Sequence, residues 1–279
     1  MANGLLPLRA MVGLTLRYNA QMFERDDRRK GNVMSNPATP FLTAEWRNLL
    51  MINYAVEPAV LRPWVPRGVE LDRWQGQTLV SIVAFQFLNT RLLGIPVPGH
   101  RDFVEANLRF YVRRRVGDEL RRGVVFVKEL VPRPAISLIA RLAYNENYAT
   151  VPMRHHITSM GSKRTRLTYQ WQAGGWWNQA AAETTGRPYV PADEAEETFI
   201  SEHYWGYARQ RDGSTVEYRV EHPRWRVWSA VNVLFHADVA GLYGPEFEAF
   251  LRQPPTSAFV AEGSPVTVRR GRSLEGGPE

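Results

Sequence analysis

The sequence predicts a mainly β protein: an antiparallel β-barrel or cone with a few short flanking helices. Three observations predict it. From Phe41 onward, short apolar or alternating segments recur between Gly, Pro and Asp turns. No regular alternation of strands with long helices points to a parallel sheet. Several of the segments are long enough that open edges would invite aggregation, and closing the sheet removes those edges.

The elements follow in order. Residues 21–40 are polar and end in turn formers, so residues 1–40 read as an N-terminal extension and linker. Trp46–Tyr54 is the first strand. The segment VEPAVLRPWVP is a short helix with Pro58 in its first turn, stopped by Pro63 and Pro66. Thr78–Leu88 is apolar and rich in β-branched residues, as expected of a strand buried on both faces. Phe103–Arg113 alternates most clearly. Val104, Ala106, Leu108, Phe110 and Val112 share one face, and Phe103, Glu105, Asn107, Arg109 and Tyr111 share the other. Gly123–Val131 pairs with it across a hairpin tip at Gly117-Asp118. Ile136–Tyr144, Arg164–Gln172, Glu202–Gln210, Thr215–Glu221 and Arg226–Phe235 are further strands, with a hairpin signal at Asp212-Gly213. GPEFEAFLRQ is a helix entered through Pro245. The barrel domain spans residues 41–272, and 273–279 form a tail.

Composition narrows the function. Hydrophobic residues make up 44% and charged residues 23% of the 279, close to the globular average, which excludes a wholly disordered chain. The absence of cysteine excludes disulfides, thiolate catalysis and Cys-ligated metal, and it suits a cytoplasmic location. No run approaches the roughly 20 apolar residues of a membrane helix. The apolar stretch Gly4–Leu16 is broken by Pro7 and Arg9. The net charge is +7, but the arginines are scattered among acids and no nucleic-acid-binding motif is present, so no nucleic-acid partner is expected. His155 and His156 are adjacent and point to opposite faces of a strand. With no His-x-His or HExxH spacing, no metal and no cofactor are expected.

The candidate chemistry lies on two strands. Glu105, Asn107 and Arg109 either face solvent or converge in a polar barrel lumen that binds a small molecule. Lys128, one of only three lysines, shares an extended-strand face with Val124, Phe126 and Leu130. It is either buried, which lowers its pKa and frees a nucleophilic amine, or it snorkels from a strand end. His100, in the loop before the Glu105 strand, either lines a barrel mouth or lies on the surface.

The segments FLTAEWRNLLMINYAVEPAVLRPWVPRGVELD, VSIVAFQFLNTRLLGIPVPGHRDFVEANLRFYVRR, RRGVVFVKELVPRPAISLIARLAYNENY and HYWGYARQRDGSTVEYRVEHPRW resemble the uncharacterised YqjF-like family. That family is placed in the acetoacetate decarboxylase-like superfamily. The resemblance implies an antiparallel barrel or cone with a central cavity, and related barrels assemble into homo-oligomers. In acetoacetate decarboxylases a strand lysine forms a Schiff base with a β-keto acid. By position, the resemblance implies that this lysine is Lys128, that the acid is Glu105 and that the carboxylate-facing arginine is Arg47. Where the decarboxylases carry Pro-Lys-Lys, this chain carries Val127-Lys128-Glu129. The leading expectation is therefore a lumen that binds a small carboxylate or carbonyl ligand through Arg47, Glu105, Lys128, Asn107, Arg109 and His100. The alternative is a Schiff-base lyase acting on a β-keto acid through Lys128 and Glu105.

Overall fold

A computed structural model describes residues 40–96, 99–134, 145–161 and 164–274. Among them, fifteen strands join in one sheet. In chain order these are β1 (Leu42–Val56), β2 (Glu70–Leu71), β3 (Thr78–Leu92), β4 (Ile95–Pro96), β5 (Phe103–Val116), β6 (Glu119–Val131), β7 (Tyr148–Thr150) and β8 (Met153–Ser159). There follow β9 (Thr165–Ala173), β10 (Trp176–Tyr189), β11 (Trp205–Arg209), β12 (Thr215–Glu221), β13 (Val227–His236), β14 (Ser257–Val268) and β15 (Arg272–Ser273). Among the described residues four short α-helices flank them: α1 (Pro58–Leu61), α2 (Glu196–Ser201), α3 (Val239–Tyr243) and α4 (Glu248–Leu251). The protein is thus mainly β. The expected strand Ile136–Tyr144, residues 1–39 of the extension and the tail from residue 275 lie outside the described residues.

The sheet closes on itself. Its order runs β12-β11-β6-β5-β3-β1-β14, and β14 returns to β12 through Val268 and Thr267, opposite Val220 and Glu221. The other end of β14 pairs with β13, from which β10, β9 and β8 continue as an outer layer. A cone-like ring carrying a second layer is the result. Most pairings are antiparallel, but β11 runs parallel to β6 at Trp205–Gly206, and β7 runs parallel to β6 at Glu129–Val131.

Closure sorts the side chains into two cores, because partners across a strand pair point to the same face. Leu50, Ile52, Ile82, Leu108 and Phe110 face outward onto Leu167, Tyr169, Trp171 and Phe247 of the outer layer and helices. Leu49, Met51, Val83, Phe85, Phe87 and Phe103 face inward with Trp225 and Phe259. The two faces of the β5 alternation separate, and of the two directions left open for the polar one the structure has it toward the lumen, with the apolar face outward.

The structure differs from the sequence reading in several elements: the short strands β2, β4, β7, β8 and β15 and the helices α2 and α3 were not expected, and Ser273 of the expected tail pairs in β15. The strand expected from Glu202 begins only at Trp205, because α2 runs to Ser201. Strand β10 was not expected, and neither was β14, which closes the ring. In β14, Gly263 and Pro265 interrupt the strand pattern. Gly263 sits at a φ of 81°, and a side chain there would run into the Trp46 carbonyl. Pro265 stands opposite Glu45 and brings no amide donor to the ladder.

Candidate functional site

The lumen is a cavity of about 130 Å³, close to the roughly 150 Å³ that accommodates a benzene molecule in an apolar protein interior. Trp46, Phe85, Phe87, Phe103, Phe126 and Trp225 supply apolar walls. Glu105, Asn107 and Arg109 descend one wall along β5. Glu129 of β6 stands across from Asn107, and Glu146 and Tyr148 follow from the segment after β6.

This wall owes its composition to a β-bulge. Leu108 pairs with Lys128 and Arg109 pairs with Phe126, so Val127 is an extra residue. A bulge shifts the side-chain phase of everything beyond it. Val124 and Phe126 face the lumen. Past Val127 the phase has changed, so Lys128 shares the outer face with Leu108 and Glu129 enters the lumen at the level of Asn107. Asn147 holds the bulge. Its Nδ2 donates to the Val127 carbonyl at 2.8 Å, and its Oδ1 accepts from Lys128 Nζ at 3.1 Å.

The carboxyls crowd together under Tyr148. Asn107 Nδ2 donates to Glu105 Oε1 at 2.8 Å, and the Tyr148 hydroxyl donates to Glu105 Oε2 at 3.3 Å. The Tyr218 hydroxyl donates to Glu146 Oε1 at 2.9 Å. Tyr218 lies there because residue 206 is glycine: a Cβ at Gly206 would overlap the Tyr218 ring. Burial pushes Glu105 up to about 7 and Glu146 up to about 8. Burial, followed by repulsion from Glu146 and Glu105, pushes Glu129 well above the usual carboxylate range. Burial thus favours the neutral carboxyl form along this wall, against the Arg109 charge that draws Glu105 back down, so that Glu146 holds its proton at neutral pH while Glu105 titrates there.

Arg109 crosses the middle of the wall and donates from Nη2 to the Ile200 carbonyl at 3.2 Å. Beyond it, the buried His203 ring packs on Tyr111 and Phe199. His203 Nε2 stands 3.5 Å from Asp72 Oδ2, which also accepts from Arg122 Nε at 2.7 Å. Burial lowers His203 to about 4, so the ring is neutral at physiological pH. Burial works against the Asp72 charge, but the hydrogen bonds of His203 and Arg122 outweigh it and bring Asp72 to about 2.

Of the residues singled out in the sequence, Glu105, Asn107 and Arg109 come together along this wall. Arg47, His100 and Lys128 are not among the described residues lining the cavity. Arg47 pairs with Gln86 on the outer face, where its guanidinium meets Glu45 at 2.8 Å and the Gly263 carbonyl at 3.2 Å. His100 stays half-buried in the loop before β5. Sequence reasoning missed His203, Tyr218 and Glu146. The YNENY run held a signal for the last, as an acid between two aromatic residues; His203 and Tyr218 carried none. Among the described residues no group of His, Asp and Glu is arranged to hold a metal ion. No helix there is long and apolar enough to cross a membrane.

Comparison with known proteins gives a family and a fold. The sequence profile of DUF2071, an uncharacterized conserved protein, matches residues 43–265. The uncharacterized protein YqjF of Bacillus subtilis (strain 168) is 41% identical over 68 residues, a stretch that covers 24% of this chain and 28% of that protein. Among solved structures, acetoacetate decarboxylase from Legionella pneumophila superposes with a TM-score of 0.58 at 15% identity, covering 89% of this chain and 93% of that one. The enduracididine biosynthesis enzyme MppR complexed with pyruvate gives 0.61 at 15% identity, covering 86% and 93%. An acetoacetate decarboxylase-like enzyme from Sphingomonas wittichii RW1 gives 0.58 at 13% identity, covering 88% and 99%. At such identities the likeness establishes the fold alone.

Proposed function

The chain belongs to the DUF2071 family of uncharacterized conserved proteins, and we propose that its lumen binds a small molecule non-covalently, holding a carboxylate or carbonyl head at Arg109 beside Asn107 and Glu105. One observation carries this reading. Among the described residues, and leaving aside His203 Nε2 with its long 3.5 Å contact to Asp72, eight buried side-chain polar atoms lack a hydrogen-bond partner, and six of them belong to residues lining this one cavity. These residues are Trp46, Thr90, Asn107, Arg109, Glu129 and His203. A buried polar atom without a partner costs about 1–3 kcal/mol. Such a concentration in one aromatic-walled cavity is what a site awaiting the polar groups of a ligand requires. Arg109 Nε is among the unpartnered donors, and a guanidinium suits a carboxylate. That a protein of the same fold has been solved with pyruvate is consistent with a ligand of this size.

The Schiff-base lyase reading has less support, because Lys128 shares a face with Leu108, outside the lumen, and Glu129 occupies the inward position. Two measurements test the proposal. Calorimetric titration with pentanoate and with pyruvate is expected to show binding that weakens about 10- to 100-fold in Arg109→Gln, as loss of a charged hydrogen bond implies. Binding of neither probe overturns the proposal. Borohydride treatment in the presence of β-keto acids is expected to leave the intact mass unchanged. A mass increase that disappears in Lys128→Ala would establish the lyase instead.

A further inference from the structure

The lumen is short of positive charge. Glu105, Glu129 and Glu146 are all buried along its lining, whereas Arg109 is the one arginine or lysine among the described lining residues. Arg109 hydrogen-bonds a backbone carbonyl rather than a carboxylate. His203 is neutral, and Lys128 faces outward. Tyr148 and Tyr218 donate hydrogen bonds but carry no charge. Independently of the charge count, two buried side-chain oxygens stand opposite each other across the β5–β6 pair with no hydrogen-bond partner: Asn107 Oδ1 and Glu129 Oε2. Both residues are 2% exposed and both line the cavity. The aromatic rings of Trp46, Phe85, Phe87 and Phe103 surround the same space, and such faces attract cations.

We propose that the Glu129 end of the lumen binds a protonated nitrogen, so that the ligand is a zwitterion: a small amino acid whose carboxylate meets Arg109 and whose ammonium meets Glu129, Asn107 and Glu105. This rests on the ligand-binding reading above and deepens it. The geometry sets the ligand's span. Asn107 and Glu129 lie two residues along β5 from Arg109, about 7 Å at the rise of a strand. A chain of four or five carbons joins an ammonium to a carboxylate over that distance. The ammonium supplies donors to both unpartnered acceptors and the charge that the three carboxyls lack. A carboxylate at this end would stand among three acids, and a neutral group would bring no charge to balance them.

The test uses 5-aminopentanoate, pentanoate and pentylamine as probes, titrated calorimetrically into the full chain at pH 8. The zwitterion is expected to bind about tenfold or more tightly than pentanoate, the increment of one charge-assisted hydrogen bond. In Glu129→Gln the two are expected to bind equally, and in Arg109→Gln both carboxylates weaken together. A measurement on the unaltered protein guards against misfolded variants. The ammonium displaces carboxyl protons, so titration in two buffers of different ionisation enthalpy is expected to report proton release with 5-aminopentanoate and none with pentanoate. If pentanoate binds as tightly as 5-aminopentanoate without proton release, the zwitterion proposal fails and the lumen reading stands. If none of the three probes binds, both fail.

Discussion

Glu217 on β12 and Glu129 on β6 are 1% and 2% exposed, yet the chain surrounds them with opposite chemistry. Glu217 accepts from Arg121 at 2.7 Å, Arg272 at 2.9 Å and Arg114 at 3.2 Å, and from the Tyr207 hydroxyl at 3.2 Å. Every lone pair it exposes to the interior meets a donor. Glu129 stands among Glu105, Glu146 and Tyr148, and its Oε2 meets no donor among the described residues. Burial alone therefore does not distinguish a structural carboxylate from one kept for a ligand. Completeness of the partner set does. Glu217 joins the β5–β6 hairpin to β12 and β15 as a closed charge network, whereas the Glu129 cluster is left incomplete around a cavity.

The largest expected effect breaks the first half of that contrast. Glu217→Ala removes the common acceptor of three guanidiniums and leaves Arg114 and Arg121 largely buried without it. Breaking a buried ion pair from one side costs about 3–5 kcal/mol, read as a fall in the urea midpoint at unchanged slope. Glu129→Gln, in an equally buried position, is expected to leave stability at pH 8 unchanged or higher, because it removes a carboxyl whose ionisation the fold opposes. Equal destabilisation by both would dissolve the comparison.

The next effect is one of pH. A carboxyl whose folded pKa lies above its unfolded value binds the extra proton in the folded state. The stability it contributes is complete below the unfolded value, near 4.5, and is lost as pH rises through the folded value. For Glu105 and Glu146 the loss runs from about 4.5 up to about 7 and about 8. His203 works the other way: its folded pKa is lowered to about 4, so it costs stability as pH falls below 6.5. The difference between the unaltered chain and Glu146→Gln isolates the carboxyl. The variant is expected to gain on the unaltered chain between pH 5 and pH 8, by on the order of 3 kcal/mol. A difference that stays flat over this range would mean that Glu146 is ionised throughout, and the cluster would then resemble Glu217 after all.

Packing sharpens the contrast further. Gly206→Ala places a methyl group where the Tyr218 ring lies. The ring must shift, and its hydrogen bond to Glu146 is lost with it. Overpacking of this kind costs about 1–3 kcal/mol. Because the Tyr218 bond favours the charged form of Glu146, its loss is expected to raise the pH at which the lumen carboxyls release their protons, seen by following the carboxyl carbon shifts in an NMR titration.

The alternation of Phe103 to Arg113 made one wall of the lumen legible in the sequence, together with Glu105, Asn107 and Arg109 on it. Which way that wall faced was not legible, since a polar strand face reads the same toward water and toward a cavity. Ring closure decides it, and closure depends on β14, whose strand pattern Gly263 and Pro265 conceal. Positions beyond a bulge were not legible either. A single extra residue at Val127 exchanges Lys128 for Glu129, and another irregularity between Arg47 and Leu50, where Asn48 adopts a φ of 56°, keeps Trp46 and Leu49 inward and Arg47 outward. Nothing in a local period of two announces where such an insertion falls. His203 and Asp72 meet across more than a hundred residues of chain, a contact that only the folded ring creates.

The smallest expected effect probes the bulge itself. Asn147→Ala removes the donor to the Val127 carbonyl and the acceptor for Lys128 Nζ. Two part-exposed hydrogen bonds are worth about 1–2 kcal/mol together, so the protein is expected to remain folded and slightly less stable. The informative reading is in binding. Arg109 pairs with Phe126, on the near side of the bulge, so affinity for pentanoate is expected to stay within about twofold. Glu129 lies on the far side, and its aim into the lumen depends on the phase that the bulge sets. The preference for 5-aminopentanoate over pentanoate is therefore expected to shrink. If both affinities fall in parallel, Asn147 stabilises the wall as a whole. If only the preference falls, the clamp on one inserted residue is what directs the carboxylate of Glu129, rather than the amine of Lys128, into the lumen.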